Sequence, residues 1–372
     1  MSYAAVPLRI EEHRAALCHL WAENMEDRRV ASVINARLRW FYNENPYGAP
    51  RTWLTIQSPP PAGGSPAGPG GAPGPDGDDV VGCGSYYPRD TFVRGRRLKA
   101  GILADFAIHK DHRAAGAAIT VQRAVATNSA PLGVELLYGY PNKAGVQVFQ
   151  RVGHKIVGEV SQWAKPLRAA YKLREFVQSP ALAELAGFAV DALFWADDAR
   201  LFADRPLAFS TEITRAADAR FDDLWARALP PALIMGERSA AYLNWRYATF
   251  KTAEYAFFCL VERRTGRLAG YIAYAIDDRK ATIADLFCAD MERDAAPLLL
   301  RFAVRMRLAG IDFLSLSYIG DAAFERQLEG LNFMRASGTR PLVVYSKGLP
   351  EDLKDEILDP RRWFMLDGEL DI

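Results

Sequence analysis

The residues best suited to chemistry are gathered in one stretch, "DFAIHKDHRAAGAAITVQRA", residues 105–124. Asp105 and His109 lie four positions apart on a strand-like run, so they share strand parity and face one side. A carboxylate and an imidazole are side chains that can act as a general base. A few positions on, Arg113-x-x-Gly116-x-Ala118 leads into a helix-like run that begins near Ala117. A helix N-terminus offers unpaired backbone N–H groups and partial positive charge, which favours anions and phosphates above all. For those N–H groups to touch a pyrophosphate, the intervening side chains must be small. Ala114, Ala115, Ala117 and Ala118 are short, Gly116 has no Cβ, and Arg113 adds a forked cation at the mouth. The competing reading is an ordinary strand-to-helix turn in an alanine-rich chain.

The chain that must position these groups has 372 residues, 50% of them apolar and 24% charged, which suits a soluble globular protein of two domains. A formal net charge of +1 gives no global field toward nucleic acid or anionic lipid, and counts against a general nucleic-acid binder. Cys18, Cys83, Cys259 and Cys288 show no C-x-x-C spacing, so neither a disulfide framework nor a metal site is expected, and a reducing cytoplasm is the expected compartment. The opening "MSYAAVPLRIEEHR" lacks the pattern of a signal peptide, and no apolar run reaches the length of a membrane span. Nothing in the sequence sets an oligomeric state.

An internal repeat organises the rest. "LRIEEHRAALCHLWAE" near the start matches "TEITRAADARFDDLWAR" at 211–227, and "RLRWFYNENPY" at 37–47 matches "YLNWRYATFKT" at 242–252. "LADFA" at 103–107 matches "IADLF" at 283–287, and "GVELLYGY" matches "IDFLSLSY". The offset is about 204 early and about 180 later, and the difference of roughly 25 is close to the length of a Pro/Gly-rich segment in the first copy, residues 58–79. That segment cannot bury enough apolar surface to order itself and reads as a flexible insertion in a hairpin turn. The expected domains are 1–166, a helical linker at 167–204, and 205–372. Within each copy, consecutive antiparallel strands followed by a strand–helix–strand crossover imply an α+β fold, a mixed, mostly antiparallel sheet flanked by helices.

Residues 102–155 resemble the coenzyme A-binding core of the GNAT superfamily of acyl-CoA N-acyltransferases. In that pattern an apolar strand runs into Arg/Gln-x-x-Gly-x-Gly/Ala and a helix. "YPNKAGVQVFQRVGHKIVGEV", residues 140–160, resembles the family's second element, an Asn-led helix ending in an aromatic, then a Gly turn and a strand. Either motif alone is weak, whereas both in order over about 60 residues are more specific. The resemblance implies two tandem GNAT-like domains and acetyl-CoA, or another acyl-CoA, as cosubstrate. It implies that the N–H groups of residues 114–118 cradle the pyrophosphate and that the pantetheine arm pairs with strand 104–109, including Ala107, as an added strand would. It also implies that the N–H near Ile108 polarises the thioester carbonyl and that Asn142 caps the later helix beside the arm. One departure matters: many members place a proton-donating tyrosine where this chain has Phe149. A thiol of pKa about 8.5 leaves tolerably without help, and Tyr138 and Tyr140 are alternative donors; Tyr140 is the one carried with Asp105 and His109 as catalytic.

The second copy replaces the bare stretch with "CADMERDAAPLLL", residues 288–300. Asp290, Glu292 and Asp294 would repel a pyrophosphate, and Pro297, read as a first-turn proline, offers no N–H. The second copy is therefore expected to keep the fold without the cofactor. Tandem GNAT-like chains include enzymes that acylate amino sugars or amino thiols and relatives that add amino acids to peptidoglycan precursors. The ending "RRWFMLDGELDI", with Arg361, Arg362 and Trp363, resembles the termini of tandem GNAT-like proteins of polysaccharide synthesis. The implied function is acyl, by default acetyl, transfer to a primary amine of a small polar or amino-sugar acceptor, in polysaccharide or cell-envelope synthesis. The alternatives are an aminoacyl-tRNA-dependent transferase, which the near-neutral charge disfavours, and a non-catalytic coenzyme A-binding scaffold.

Overall fold

The computed structural model describes residues 2–24, 29–57, 72–73, 79–113, 116–168, 192, 195, 198, 208–228, 233–249 and 253–369. Ala114, Ala115, most of the 58–79 insertion and most of the expected 167–204 helical linker lie outside the described residues. In chain order the principal elements are β1 (Tyr3–Pro7), α1 (Ile10–Asn24), α2 (Arg29–Asn43), β2 (Arg51–Gln57), β3 (Asp79–Val93), β4 (Arg96–Ile108), α3 (Ala117–Ser129), β5 (Leu136–Gly139), α4 (Lys143–Arg151) and β6 (Lys155–Pro166). Then follow β7 (Phe209–Thr214), α5 (Ala219–Ala228), α6 (Ala240–Leu243), β8 (Tyr255–Glu262), β9 (Leu268–Asp277), β10 (Lys280–Cys288), α7 (Met291–Leu308), β11 (Phe313–Gly320), α8 (Ala322–Gly330), β12 (Met334–Tyr345), α9 (Glu351–Ile357) and β13 (Phe364–Leu366).

The chain divides into two compact units. Unit 1 holds residues 1–159 and 340–359, and unit 2 holds 160–339 and 360–369. These are not the contiguous stretches that the repeat suggests, because β6 runs from unit 1 into unit 2 and β12 runs the other way. In unit 1 the strand order is β1-β2-β3-β4-β5-β12. All neighbours are antiparallel except β4 and β5. In unit 2 the order is β7-β8-β9-β10-β11-β6, again antiparallel except β10 and β11. Each unit thus closes its sheet with a strand segment from the other half of the chain: residues 343–345 of β12 pair with β5, and residues 161–166 of β6 pair with β11.

Local sequence explains the layers of unit 1. Helix α1 buries His13, Ala16, Leu17, Leu20 and Trp21, a one-sided stripe at helical spacing. That stripe packs with Leu38, Leu54, Val80, Cys83 and Ala107 on one sheet face. On the other face α3 lays down Ala117, Ala118, Val121, Val125 and Ala126 against Trp53, Val81, Leu103, Leu137 and Val343. Both halves carry a bulge at matching places, between Cys83 and Ser85 against β4, and between Ala273 and Tyr274 against β10. An extra residue there bends the strand and re-aims its side chains. Among the described residues no helix is long and apolar enough to cross a membrane.

Candidate active site

Strand β4 and the start of α3 frame the site in unit 1. The ladder between β4 and β5 runs Ala100↔Leu136, Gly101↔Leu137 and Ile102↔Tyr138, while β4 itself continues to Ile108. Its other edge stays paired with β3 through Gly82↔Ile108, and His109 N–H donates to the Val81 carbonyl at 2.9 Å. Beyond Ile102 one edge of β4 therefore has no strand partner among the described residues. Antiparallel pairs alternate between hydrogen-bonded and non-bonded positions, so the bond from His109 turns the N–H of Ile108 toward that open edge.

The strand then turns through a 3-10 segment, Lys110–His112, into Arg113 and α3. Gly116 is the residue before the helix, at φ +92°, with no side-chain cap on the helix N-terminus. That backbone region favours glycine, and apart from its chain neighbours a Cβ there would meet no atom of the described residues within 4 Å. Gly116 is thus required by conformation, and no side chain of the described residues fills the space a Cβ would take. Ala117 and Ala118 are small for a different reason: both are buried in the core, and the Thr55 hydroxyl donates to the Ala117 carbonyl at 3.2 Å. Arg113 is exposed, its Nε donating to the Ile108 carbonyl at 3.2 Å.

Asp105 and His109 do share a face, that of α1 and α2, but their surroundings differ. Asp105 is the bulge residue, at φ +52°, and is fully buried. Its Oδ1 accepts from the Nη2 of Arg37 on α2, whose guanidinium lies 5.5 Å from the ring centres of Trp21 and Phe41. The Cys83 thiol donates to the Asp105 carbonyl at 3.0 Å. Asp105 is therefore committed to an internal ion pair, and no face of it meets solvent. His109 is largely buried, with Nε2 3.7 Å from Glu23 Oε2 and Nδ1 3.8 Å from Asp111 Oδ2. Its ring lies 5.8 Å from that of His112, whose Nδ1 is 2.9 Å from the Tyr3 hydroxyl. Burial, and next the neighbouring His109, hold the His112 imidazole below its ordinary range.

On the opposite face, Asn142 caps α4 by accepting from Gly145 N–H at 2.8 Å. Phe149 is buried and meets Phe106 edge-on, with ring centres 5.5 Å apart, beside the bulge; its other neighbour is His154, at 5.0 Å. Tyr140 is half-buried and follows β5 directly, where β4 and β5 part. Sequence reasoning missed Arg37 and His154. Arg37 had a signal: it interrupts the apolar stripe Ile34, Leu38, Phe41 of α2. A charge on a buried stripe calls for a partner.

Unit 2 treats the matching helix end differently. Asp290 caps α7, accepting from Arg293 N–H at 2.9 Å, and buried Asp294 accepts from Arg293 Nε and Nη2 at 2.7 Å each. Where α3 starts behind a glycine with no side-chain cap, α7 thus starts behind a capping carboxylate. Pro297 does not sit in the first turn, as the sequence reading has it; the helix already begins at Met291, so Pro297 lies in its interior. Among the described residues no group of His, Cys, Asp or Glu is arranged to hold a metal ion.

No family model matches the chain, and no curated protein matches it. Solved structures do. A conserved protein of unknown function from Enterococcus faecalis, described as a probable N-acyltransferase, aligns over 92% of this chain and 72% of its own, at 10% identity and a TM-score of 0.59. A GCN5-related N-acetyltransferase from Anabaena variabilis aligns over 92% and 72% at 12% identity, with a TM-score of 0.60. One from Kribbella flavida aligns over 92% and 70% at 13% identity, with a TM-score of 0.53. At such identities the likeness is one of backbone architecture, and the chain has the fold of the GCN5-related N-acetyltransferases.

Proposed function

We propose that the protein is an acyl-CoA-dependent N-acyltransferase whose reaction takes place in unit 1. The observation that carries this reading is the conjunction of an open β4 edge with the uncapped start of α3 behind Gly116. A pantetheine arm fits the first as an added strand, and a pyrophosphate fits the second as an anion at a helix N-terminus. Arg113, exposed at the turn, lends a cation to the phosphates. Acyl-CoA, when bound, supplies a thioester whose acyl carbon accepts the nucleophile; acetyl-CoA is the default donor. The Ile108 N–H, turned to the open edge, is the donor that polarises the acyl oxygen.

The acceptor is a primary amine of a small polar or amino-sugar molecule, and a new N–C bond forms as the C–S bond breaks. His109 is the base in this reading, with Glu23 and Asp111 close enough to balance its charge when it takes the amine proton. Asp105 acts by holding Arg37 and shaping the bulge. Tyr140, where the strands part, is the donor to the departing thiolate in place of the hydroxyl that Phe149 lacks.

Release of free thiol from acetyl-CoA, measured with a panel of primary amines, tests this directly. The expected result is amine-dependent release that falls about 100-fold in His109→Gln. No amine-stimulated release of thiol across the panel would overturn the transferase reading.

A further inference from the structure

In unit 2 the strand gap that matches the open edge of unit 1 is filled by the chain itself. Strands β10 and β11 pair only through Lys280↔Phe313, Ala281↔Leu314 and Thr282↔Ser315. Further along, the edge of β11 is taken by β13, antiparallel, with Tyr318↔Leu366, Ile319↔Met365 and Gly320↔Phe364. Between the two ladders the Ser317 N–H donates to the Asp367 carboxylate at 2.9 Å, so a side chain bridges the interval between them. Trp363, Phe364, Met365 and Leu366 are all buried, and the Phe364 ring lies 5.5 Å from that of Tyr318 and 5.8 Å from that of Phe324.

An ionic latch holds the far end of this segment. Arg238 donates to both oxygens of Asp285, the counterpart of Asp105, at 3.1 and 3.2 Å, and its Nη2 reaches Glu369 Oε1 at 3.4 Å. The Tyr271 hydroxyl donates to Asp285 Oδ2 at 2.7 Å, and Arg246 Nε donates to the Gly368 carbonyl at 2.9 Å. Gly368 is packed so closely that the Tyr247 hydroxyl stands where a Cβ would be, with the carbonyl of Ala284, beside the bulge, 3.0 Å away. In unit 1 no described strand enters the corresponding gap.

We propose that residues 363–369 are a built-in occupant of the unit 2 strand gap, taking the place that the pantetheine arm takes in unit 1. The proposal rests on the reading of the unit 1 gap given above. The segment fills the gap from its β11 wall, through the β13–β11 ladder, whereas the pantetheine arm pairs with the β4 wall in unit 1; each is an extended chain lying between the two diverging strands. Because the occupant is covalently part of the chain, no ligand competes with it at an equal local concentration. Unit 2 is thereby closed to acyl-CoA, and the chain carries one cofactor site.

Hydrogen–deuterium exchange of the full chain, read by mass spectrometry with and without acetyl-CoA, tests the proposal. Amides of 364–368 and 317–319 should exchange as slowly as those of β10, and acetyl-CoA should slow exchange only within 103–118 and adjoining parts of unit 1. Gly368→Val should speed exchange of 363–369 and 317–319 at least 10-fold while changing coenzyme A affinity less than about twofold. Asp367→Ala, a milder variant, should speed exchange at Ser317 with little effect elsewhere. Fast exchange of 364–368 in the unaltered chain, or acetyl-CoA protection at 282–288 and 316–320, would overturn the proposal. Slow exchange of 364–368 with no acetyl-CoA protection anywhere would support the occupancy and sink the transferase reading.

Discussion

A carboxylate buried beside a guanidinium balances that guanidinium's charge, and removing it takes this counter-charge out of the core. Asp105→Asn should therefore destabilise the protein by about 3–5 kcal/mol in denaturant unfolding. Asparagine tolerates the φ of +52° at this bulge, so backbone strain is not the cause. Combining it with Arg37→Met should recover much of the loss. Were Asp105 instead an exposed base, the single variant would lose activity and keep its stability. His154 gives a pH test. Its imidazole is buried beside Phe149 and Tyr345, and burial pushes its pKa down to about 4. The unfolded chain takes up that proton near pH 6.5, so the stability from a neutral His154 is complete above about 6.5 and drains away toward pH 4. The slope is about 1.4 kcal/mol per pH unit, or ~3 kcal/mol in all. His154→Phe should remove that share of acid sensitivity; equal losses in both proteins between pH 7 and pH 5 would show that other groups carry it. At this scale Gly116 was legible because a bare residue before a helix has few explanations. Arg37 was not, since its partner is 68 positions away in sequence.

The two corresponding helix starts make the contrast between the halves physical. Helix α3 begins behind a glycine with no side-chain cap, whereas α7 begins behind Asp290. Asp290→Ala should cost about 1 kcal/mol of stability, the usual value of such a cap, and leave coenzyme A binding unchanged. A binding defect in that variant would assign the cofactor to unit 2. Gly116→Ala, by contrast, forces a Cβ into a left-handed conformation at about 1–2 kcal/mol. The run from β4 through α4 was legible because apolar periodicity, glycine and an Asn cap mark each boundary. The bulge in β4 was not, because an extra residue leaves no mark in an alternating pattern. The position of Pro297 was misread for a related reason: the acidic residues before it belong to the helix.

At the level of the whole chain, the repeat between the halves was visible as matched words at a shifting offset, and the structure repeats the same strand order and bulge in both units. What the repeat concealed is the exchange of closing strands, which depends on pairing between residues some 200 positions apart, such as Val343 with Gly139. Because β12 completes the sheet of unit 1, a chain ending before residue 340 would leave β5 with an unpaired edge. On the proposed function one acyl-CoA binds, in unit 1, at the start of α3 behind Gly116. Equilibrium titration of coenzyme A onto the full chain and onto Gly116→Glu measures that most directly. Saturation is expected at one coenzyme A per chain, with at least a 10-fold weaker interaction in the variant, whose carboxylate would face the phosphates. Equal affinity in the two proteins, two sites per chain, or no binding in either would contradict it.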